Sequence, residues 1–450
     1  MALIVTNHRA AQLRPAERQQ AYNALDVCLT LGIARALLPQ LAGKVASERT
    51  YTFERAMQAP AMTMALRGIA VDEDAARIEV GRLLNMEAHA IRRLRLLASV
   101  WTESGTTDFA AIRKSLESGS AAPGLNPYSH VHVKNLFYGA CGEEPYHRRS
   151  SGTPTADDSA LRMLMARSPT VGVMAGMILE AKELRKWRNI ITESRRSRDG
   201  RLRCAFSVGA SASGAWTTGA SCLEEGLNFY GVPPRSRGFL VPSEPGMVML
   251  HAELQNPEVL ISAKLAGDAA YAADIVLGRQ RRPSIEIETL YGTGERKLSK
   301  MTGAPVGAIK RYQERFFAEH PLMAARIENS RGRHMFASAM GRWHRHVGHP
   351  DDQETLRTTL GDEVRGIVSD VTSVALWRLW RRHDVGDQAP ALHLLSRDNG
   401  SLLLECREAD FGEAHEAVSD AFQVTVPGVG VIPVGIAGGR NWREAAEVFS

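Results

Sequence analysis

Apolar residues recur at helical spacing over most of this chain and give way to strand alternation in two stretches. The first fifty residues read as helical, and residues 73 to 119 carry a long helical period through Leu83, Leu84, Met86, Ile91, Leu94 and Leu97. Between them an apolar helix runs into Arg67-Gly68, where the glycine suits a C-cap of positive φ. From Asp199-Gly200 onward the pattern becomes short alternating strands separated by Gly and Ser, ending in the apolar run Val248-Met-Leu-His-Ala-Glu253. Residues 269 to 345 return to a helical, basic pattern. A helix is expected over Val364 to Arg382, then two apolar strands around Asn399-Gly400, a further helix and a Gly-rich terminus. There is no internal repeat and no long low-complexity linker. This order of elements predicts an α+β protein of more than one domain.

Composition narrows the picture only slightly. At 450 residues the chain can bury a large core. With 55 Lys and Arg against 50 Asp and Glu, a net charge of +5 suits a nucleic-acid partner and equally a solvated mixed-charge surface. The five cysteines are scattered without CxxC spacing, as expected of reduced thiols in a cytoplasmic protein. The longest nearly apolar stretch read from the sequence, Val171 to Leu179, is far short of the roughly 20 residues of a membrane span, so no membrane partner is expected.

The run Glu253-Leu-Gln-Asn-Pro-Glu258 closes the apolar strand with two carboxylates five residues apart. It resembles motif A of the family A DNA polymerases, of the bacterial polymerase I and phage type, with Glu253 at the metal-binding Asp and Glu258 at the Glu that meets the sugar of the incoming nucleotide. The hairpin Leu392-His-Leu-Leu-Ser-Arg397-Asp398-Asn-Gly400-Ser-Leu-Leu-Leu-Glu405 resembles motif C, with Asp398 at the catalytic Asp, Arg397 at the usual His and a turn about two residues longer. Asp398 is equally a turn residue chosen for its backbone hydrogen bonding. The resemblance implies two Mg²⁺ ions held by Glu253 and Asp398, which would activate a primer 3′-OH and neutralise a triphosphate.

The similarity runs from about residue 20 to 445. Phe53 to Asp72 resembles the segment that opens the thumb, Leu125-Asn126-Pro127-Tyr128-Ser129 the Asn-Pro-x-Ser element, and Ser151-Gly-Thr-Pro-Thr155 and Ile178 to Trp187 follow in the family's order. The fold it implies is a right hand. An exonuclease-derived remnant is expected over 1–50, a thumb over 51–195, palm over 196–268, fingers over 269–345 and the rest of the palm over 346–450. Tyr22 and Asp26 resemble the third exonuclease motif; an ordinary amphipathic helix reads the same way.

Several positions that do chemistry in the family are replaced. Counting back from Tyr291, the fingers-helix steps of four give Ile287, Pro283 and Arg279, so Tyr291 and Arg279 match while the Lys and the aromatic residue do not. Pro283 cannot occupy a helix interior and is expected to start the helix, with Arg281 or Arg282 as substitute phosphate clamps. Ala215 stands at the Arg of a Thr-Gly-Arg-like element. Asn228 is kept in the Asn-Leu-Gln-Asn-Ile-Pro-like stretch, with Tyr230 and Gly231 at its Gln and second Asn, and Arg365 stands at a Gln. Arg342 keeps the cationic character of the turn closing the fingers, and with Arg365 and Arg397 is expected to contact DNA or nucleotide. His344, His346 and His349 lack carboxylate or thiolate partners and read as a basic loop. No βαβ unit follows Gly435 to Trp442, which rules against a dinucleotide loop.

If each lost contact costs about 2–3 kcal/mol in the transition state, three slow the chemistry by roughly four to six orders of magnitude. The first expectation is therefore a polymerase-like protein of DNA replication that binds primer-template or duplex DNA without efficient catalysis, beside a second protein subunit. The alternatives are an active polymerase taking dNTP at Glu253 and Asp398, and a DNA-binding scaffold indifferent to a recessed 3′ end.

Overall fold

The computed structural model describes residues 14–41, 45–103, 125–148, 152–167, 169–219, 226–278, 283–333, 335–338, 340–345, 348–349 and 352–447. Its centre is a four-stranded antiparallel sheet in the order His393–Asp398, Ser401–Arg407, Met247–Leu254, Val434–Gly439. Strand Met247–Leu254 is paired on both edges. Its side chains obey the period of two. Leu250, Ala252 and Leu254 enter one core, and Met249 enters another on the opposite face.

The first face is covered by the long helix Gln353–Leu379, which buries Val364, Ile367, Val368, Val371, Ala375 and Leu376 against it. Each fully buried side chain of this size is worth about 1.5–3 kcal/mol. The helix starts eleven residues before the expected Val364 and ends in a π-helical turn, Trp380–Asp384. Its early turns mix Thr and charged residues with Leu356 and Leu360, which conceals the period in the sequence. Helices Pro257–Ala266 and Phe411–Ala421 complete this layer.

Helix Glu73–Glu103 packs along Pro169–Glu193 to form an arm with its own core, which includes Leu94, Phe137, Leu161, Leu164 and Ile178. The part of the expected long period beyond Glu103 lies outside the described residues. A three-stranded sheet, Arg201–Leu202, Ile69–Val71, Leu240–Val241, joins the arm to the centre. Gly68 enters it at φ 64°, and a Cβ there would lie 2.6 Å from the Leu202 carbonyl oxygen. Glycine is the residue that fits. Just before it, Arg67 donates to Asp384 at 2.5 Å and to the Leu394 carbonyl at 2.8 Å, fixing this junction to the sheet.

Helices Ala269–Leu277, Ser284–Leu290, Glu295–Thr302, Val306–Glu319 and Pro321–Asn329 form the basic helical segment. Helix does not continue to 345 as the pattern suggested. Gly332, at φ 76°, turns the chain into an antiparallel pair, Met335–Ala337 with Trp343–Arg345.

Helices Pro15–Leu41 and Val45–Ala56 bear out the helical reading of the first fifty residues where they are described; residues 1–13 and 42–44 lie outside the described residues. In the first of them Tyr22, Val27 and Ile33 are 61%, 68% and 57% exposed, which places its apolar surface outside any core. The stretch Gln19–Leu41, 23 residues, is long and apolar enough by length and composition to cross a membrane, which corrects the expectation that no stretch approaches that length. Asn23, Asp26 and Arg35 interrupt it. Cys28, Cys141, Cys204 and Cys406 are free thiols.

Candidate active site

Glu253 and Asp398 are brought together by strand register. Ser401 pairs with Glu253 on one side and with Asp398 on the other, so the two carboxylates flank one residue at one end of the sheet. Strands lie about 4.8 Å apart, which separates their backbones by roughly 10 Å. Both side chains are half-buried. The hairpin closes through the two residues Asn399-Gly400, with Gly400 at φ 93°. Asp398 is therefore the last residue of its strand, with the turn made by the two residues after it. The Asn399 N–H donates to its carboxylate at 2.6 Å.

After Glu253 the chain passes Asn256, at φ 44°, into helix Pro257–Ala266 with Pro257 in its first turn. Glu258 is half-buried there and acts electrostatically on Tyr291, which ends the short helix Ser284–Leu290. Pro283 is the N-cap, as its chemistry required. Tyr291 is 1% exposed; burial above all, and Glu258 next, raise its pKa, so it stays a neutral phenol. The Arg365 guanidinium lies 5.0 Å over its ring. Arg279, Arg281, Arg282 and His346 lie outside the described residues.

Arg237 is the group that sequence reasoning missed. It follows Pro233-Pro-Arg-Ser in a short 3-10 turn, Pro234–Phe239, with Nε donating to the Val232 carbonyl at 3.0 Å and its guanidinium 4.2 Å over the Trp442 ring. Burial lowers its pKa, and the carboxylates of Asp398 and Glu253 both act to raise it. Arg237 is thus a cation electrostatically coupled to both members of the pair. His251, two residues before Glu253, is pushed down to about 4 by burial and by Arg237, so it is neutral at physiological pH. A signal was present in the sequence: a cationic turn just ahead of the central strand.

Arg397 points the other way. It is wholly buried and donates through Nη2 to the Ser369 carbonyl at 3.0 Å, Ser369 Oγ at 2.8 Å and Ser373 Oγ at 3.2 Å, with the Trp216 ring 4.5 Å away. Its Nε and Nη1, and the Tyr230 hydroxyl, have no hydrogen-bond partner among the described residues. Burial lowers the Arg397 pKa to about 10, leaving it charged at neutral pH behind Asp398. Arg397 is therefore a core residue and is not placed to contact DNA, as the sequence had suggested. Arg342 differs from expectation for a similar reason. It is 7% exposed and ion-paired with Glu54 at 2.6 Å and Asp370 at 2.5 Å. Gly214, at φ 77°, lies so close to this guanidinium that a Cβ would sit 2.3 Å from its central carbon.

Asn228 is exposed and caps a 3-10 turn, accepting from the Tyr230 N–H at 3.1 Å and the Thr218 hydroxyl at 2.5 Å. Tyr22 and Asp26 lie on the exposed N-terminal helix.

The donor chemistry of Glu253 and Asp398 is right for a hard cation. Among the described residues, however, no cluster of three or more His, Cys, Asp or Glu is placed to hold a metal. Glu253 and Asp398 are thus the two carboxylates that would hold a cation here, under the positive charge of Arg237, which acts on both, and of Arg397, which acts on Asp398.

A scan of known protein families finds no match to the chain. It is 24% identical over 363 residues to the thermostable DNA polymerase I of Thermus filiformis, covering 72% of this chain. It is 25% identical over 272 residues to the DNA polymerase of Mycobacterium phage L5, covering 54% of this chain. The matched region spans 42% of the length of each of these relatives. In three dimensions it is similar to the POL domain of Pol1 from M. smegmatis, solved in complex with DNA primer-template and dNTP, with a TM-score of 0.72 and 17% identity over 94% of this chain and 76% of that one.

Proposed function

For a chain that is related to the family A DNA polymerases and carries their right-hand fold, we propose a primer-template-binding role in DNA replication with little or no catalysis of its own, beside a second protein chain that performs the chemistry. The observation that carries this reading is that, among the described residues, strand register sets only two carboxylates, Glu253 and Asp398, on either side of Ser401 at one end of the sheet, where the half-buried Arg237 is a cation whose charge acts on both. Nucleotidyl transfer needs ions that bind the 3′ oxygen and the triphosphate directly and lower the pKa of the attacking hydroxyl. A guanidinium has no open coordination position and no acceptor. It offsets the carboxylate charge without supplying that chemistry, and it raises the electrostatic cost of placing divalent cations beside it.

The short fingers helix supports the same reading. Its described part begins at the N-cap Pro283, and Ile287, one turn before Tyr291, offers no ring for a base. The similarity in fold to a polymerase domain solved with DNA primer-template and dNTP supports the DNA-binding part of this reading.

Metal binding tests the proposal without relying on turnover. Mn²⁺ titrated into the intact chain and followed by electron paramagnetic resonance is expected to show no site tighter than millimolar. An Arg237→Gln variant is expected to gain one. Tight Mn²⁺ binding to the intact chain, abolished by Glu253→Gln, would overturn the reading.

A further inference from the structure

Helix Pro15–Leu41 contributes no side chain to the three hydrophobic cores, and its residues are unevenly arranged around it. At about 3.6 residues per turn, Gln19, Asn23, Asp26 and Thr30 share one side. Glu17, Ala21, Ala24, Cys28, Leu31 and Arg35 occupy the other, flanked by Leu25 and Val27. Leu25, Val27 and Leu31 are 42%, 68% and 48% exposed, and a Cβ on the adjacent Gly32 would meet nothing within 4 Å. An apolar helix face left this open is a surface that another element covers.

The charges decide which cover fits. Asp26 and Arg35 fall within the apolar stretch, where a bilayer would have to take up both charges at a cost. Glu17 and Arg35 are separated by five helical turns, so they share one direction around the helix about 27 Å apart along its axis. A parallel second copy would set Glu17 against Glu17 and Arg35 against Arg35. An antiparallel copy related by a two-fold axis sets each Glu17 opposite the partner's Arg35, which closes both ends of the face with opposite charges. In the same register Leu31 lies over the partner's Ala21 and Cys28 over the partner's Ala24, large against small. Arg14 already donates to Glu17 through its backbone N–H at 2.9 Å, its Nε at 3.0 Å and its Nη2 at 2.6 Å. A carboxylate has roughly four acceptor positions, so one remains for the second copy.

We propose that helix Pro15–Leu41 pairs antiparallel with the same helix of a second copy of this chain, through the face of Ala24, Cys28 and Leu31, with Glu17–Arg35 ion pairs at its two ends. The pairing is separate from the carboxylates of the sheet, so its success or failure does not depend on whether the chain extends primers.

The test is sedimentation equilibrium of the intact chain at micromolar concentration, where a dimer of the 49.2 kDa chain is expected. Glu17→Arg and Arg35→Glu, made singly, each set like charges at both ends and are expected to weaken the dimer about tenfold. Combined in one chain they restore opposite charges, and the affinity is expected to return to within about twofold of the parent. Leu31→Asp is expected to give a monomer, while Ile33→Asp, on the other side of the helix, keeps the dimer. Leu31, Ile33 and Arg35 are exposed, so these variants fold as the parent does. A monomeric intact chain, a dimer that survives Leu31→Asp, or a double reversal as weak as the single ones would overturn the proposal. Flotation with phosphatidylcholine–phosphatidylglycerol vesicles is expected to leave the chain unbound; binding that Ile33→Asp abolishes would show a lipid-facing helix and overturn it as well.

Discussion

Replacing Arg342 with Met removes the guanidinium that bridges Glu54 and Asp370. The guanidinium reaches Glu54 at 2.6 Å and Asp370 at 2.5 Å, and the two carboxylate side chains are 20% and 7% exposed. Removing one partner of a buried ion pair costs about 3–5 kcal/mol, because the charge left behind remains desolvated. Unfolding entropy of about 2.1 cal/mol/K per residue amounts to about 0.95 kcal/mol/K over 450 residues, so the melting temperature should fall by about 3–5 °C if the chain unfolds as one unit. The pH dependence supplies a second, independent readout. Burial raises the Asp370 pKa even with Arg342 in place, and losing the cation raises it further. A carboxyl whose folded-state pKa lies above its unfolded value adds no penalty below that unfolded value and destabilises increasingly as pH rises through the folded one. The gap between variant and parent, followed by calorimetry, should therefore be larger at pH 8 than at pH 5. A shift below 1 °C that is the same at both pH values would refute the reasoning.

Other substitutions test other parts of the structure. Asp384→Asn should destabilise by about 3 kcal/mol at pH 7 through loss of the Arg67 pair. Burial opposes ionisation of Asp384, but His393 and Arg67 together hold its pKa below the usual value, so this contribution is present above the unfolded pKa and disappears as pH falls through the folded one; urea midpoints of the two proteins should converge in acid. Gly68→Ala should cost more than 1 kcal/mol in chemical denaturation, since it combines positive φ with a 2.6 Å approach to the Leu202 carbonyl. Leu29→Asp with Ile33→Asp should leave the melting temperature within about 1 °C, because these side chains are 54% and 57% exposed and join no core. The His251 ring, followed by NMR, should titrate near pH 4.

The framework was legible because hydrophobic periods survive where individual contacts do not. The apolar run ending at Glu253, the strands around Asn399-Gly400 and the helices of the arm are written in spacing, and the sheet register then places Glu253 beside Asp398 with Ser401 between them. What spacing cannot express is the direction in which a cation points. Arg342 and Arg397 read as DNA contacts because basic residues are usually solvated, yet their partners, Glu54, Asp370 and Ser369, are distant in sequence and converge only in the fold. Arg237 was passed over for the opposite reason. Its turn carries no periodic signal, and its charge acts on carboxylates that only strand pairing brings together. The early start of helix Gln353–Leu379 and the strand pair after Gly332 were hidden by Thr-rich and Gly-Arg-rich stretches with no clear period.

Primer extension by the purified chain, with Mg²⁺, all four dNTPs and a Glu253→Ala, Asp398→Ala double variant as control, tests the central claim most directly. The account predicts primer-template binding with extension no greater than that of the double variant. Extension by the intact chain that disappears in the double variant would contradict it and make these two carboxylates a working metal site.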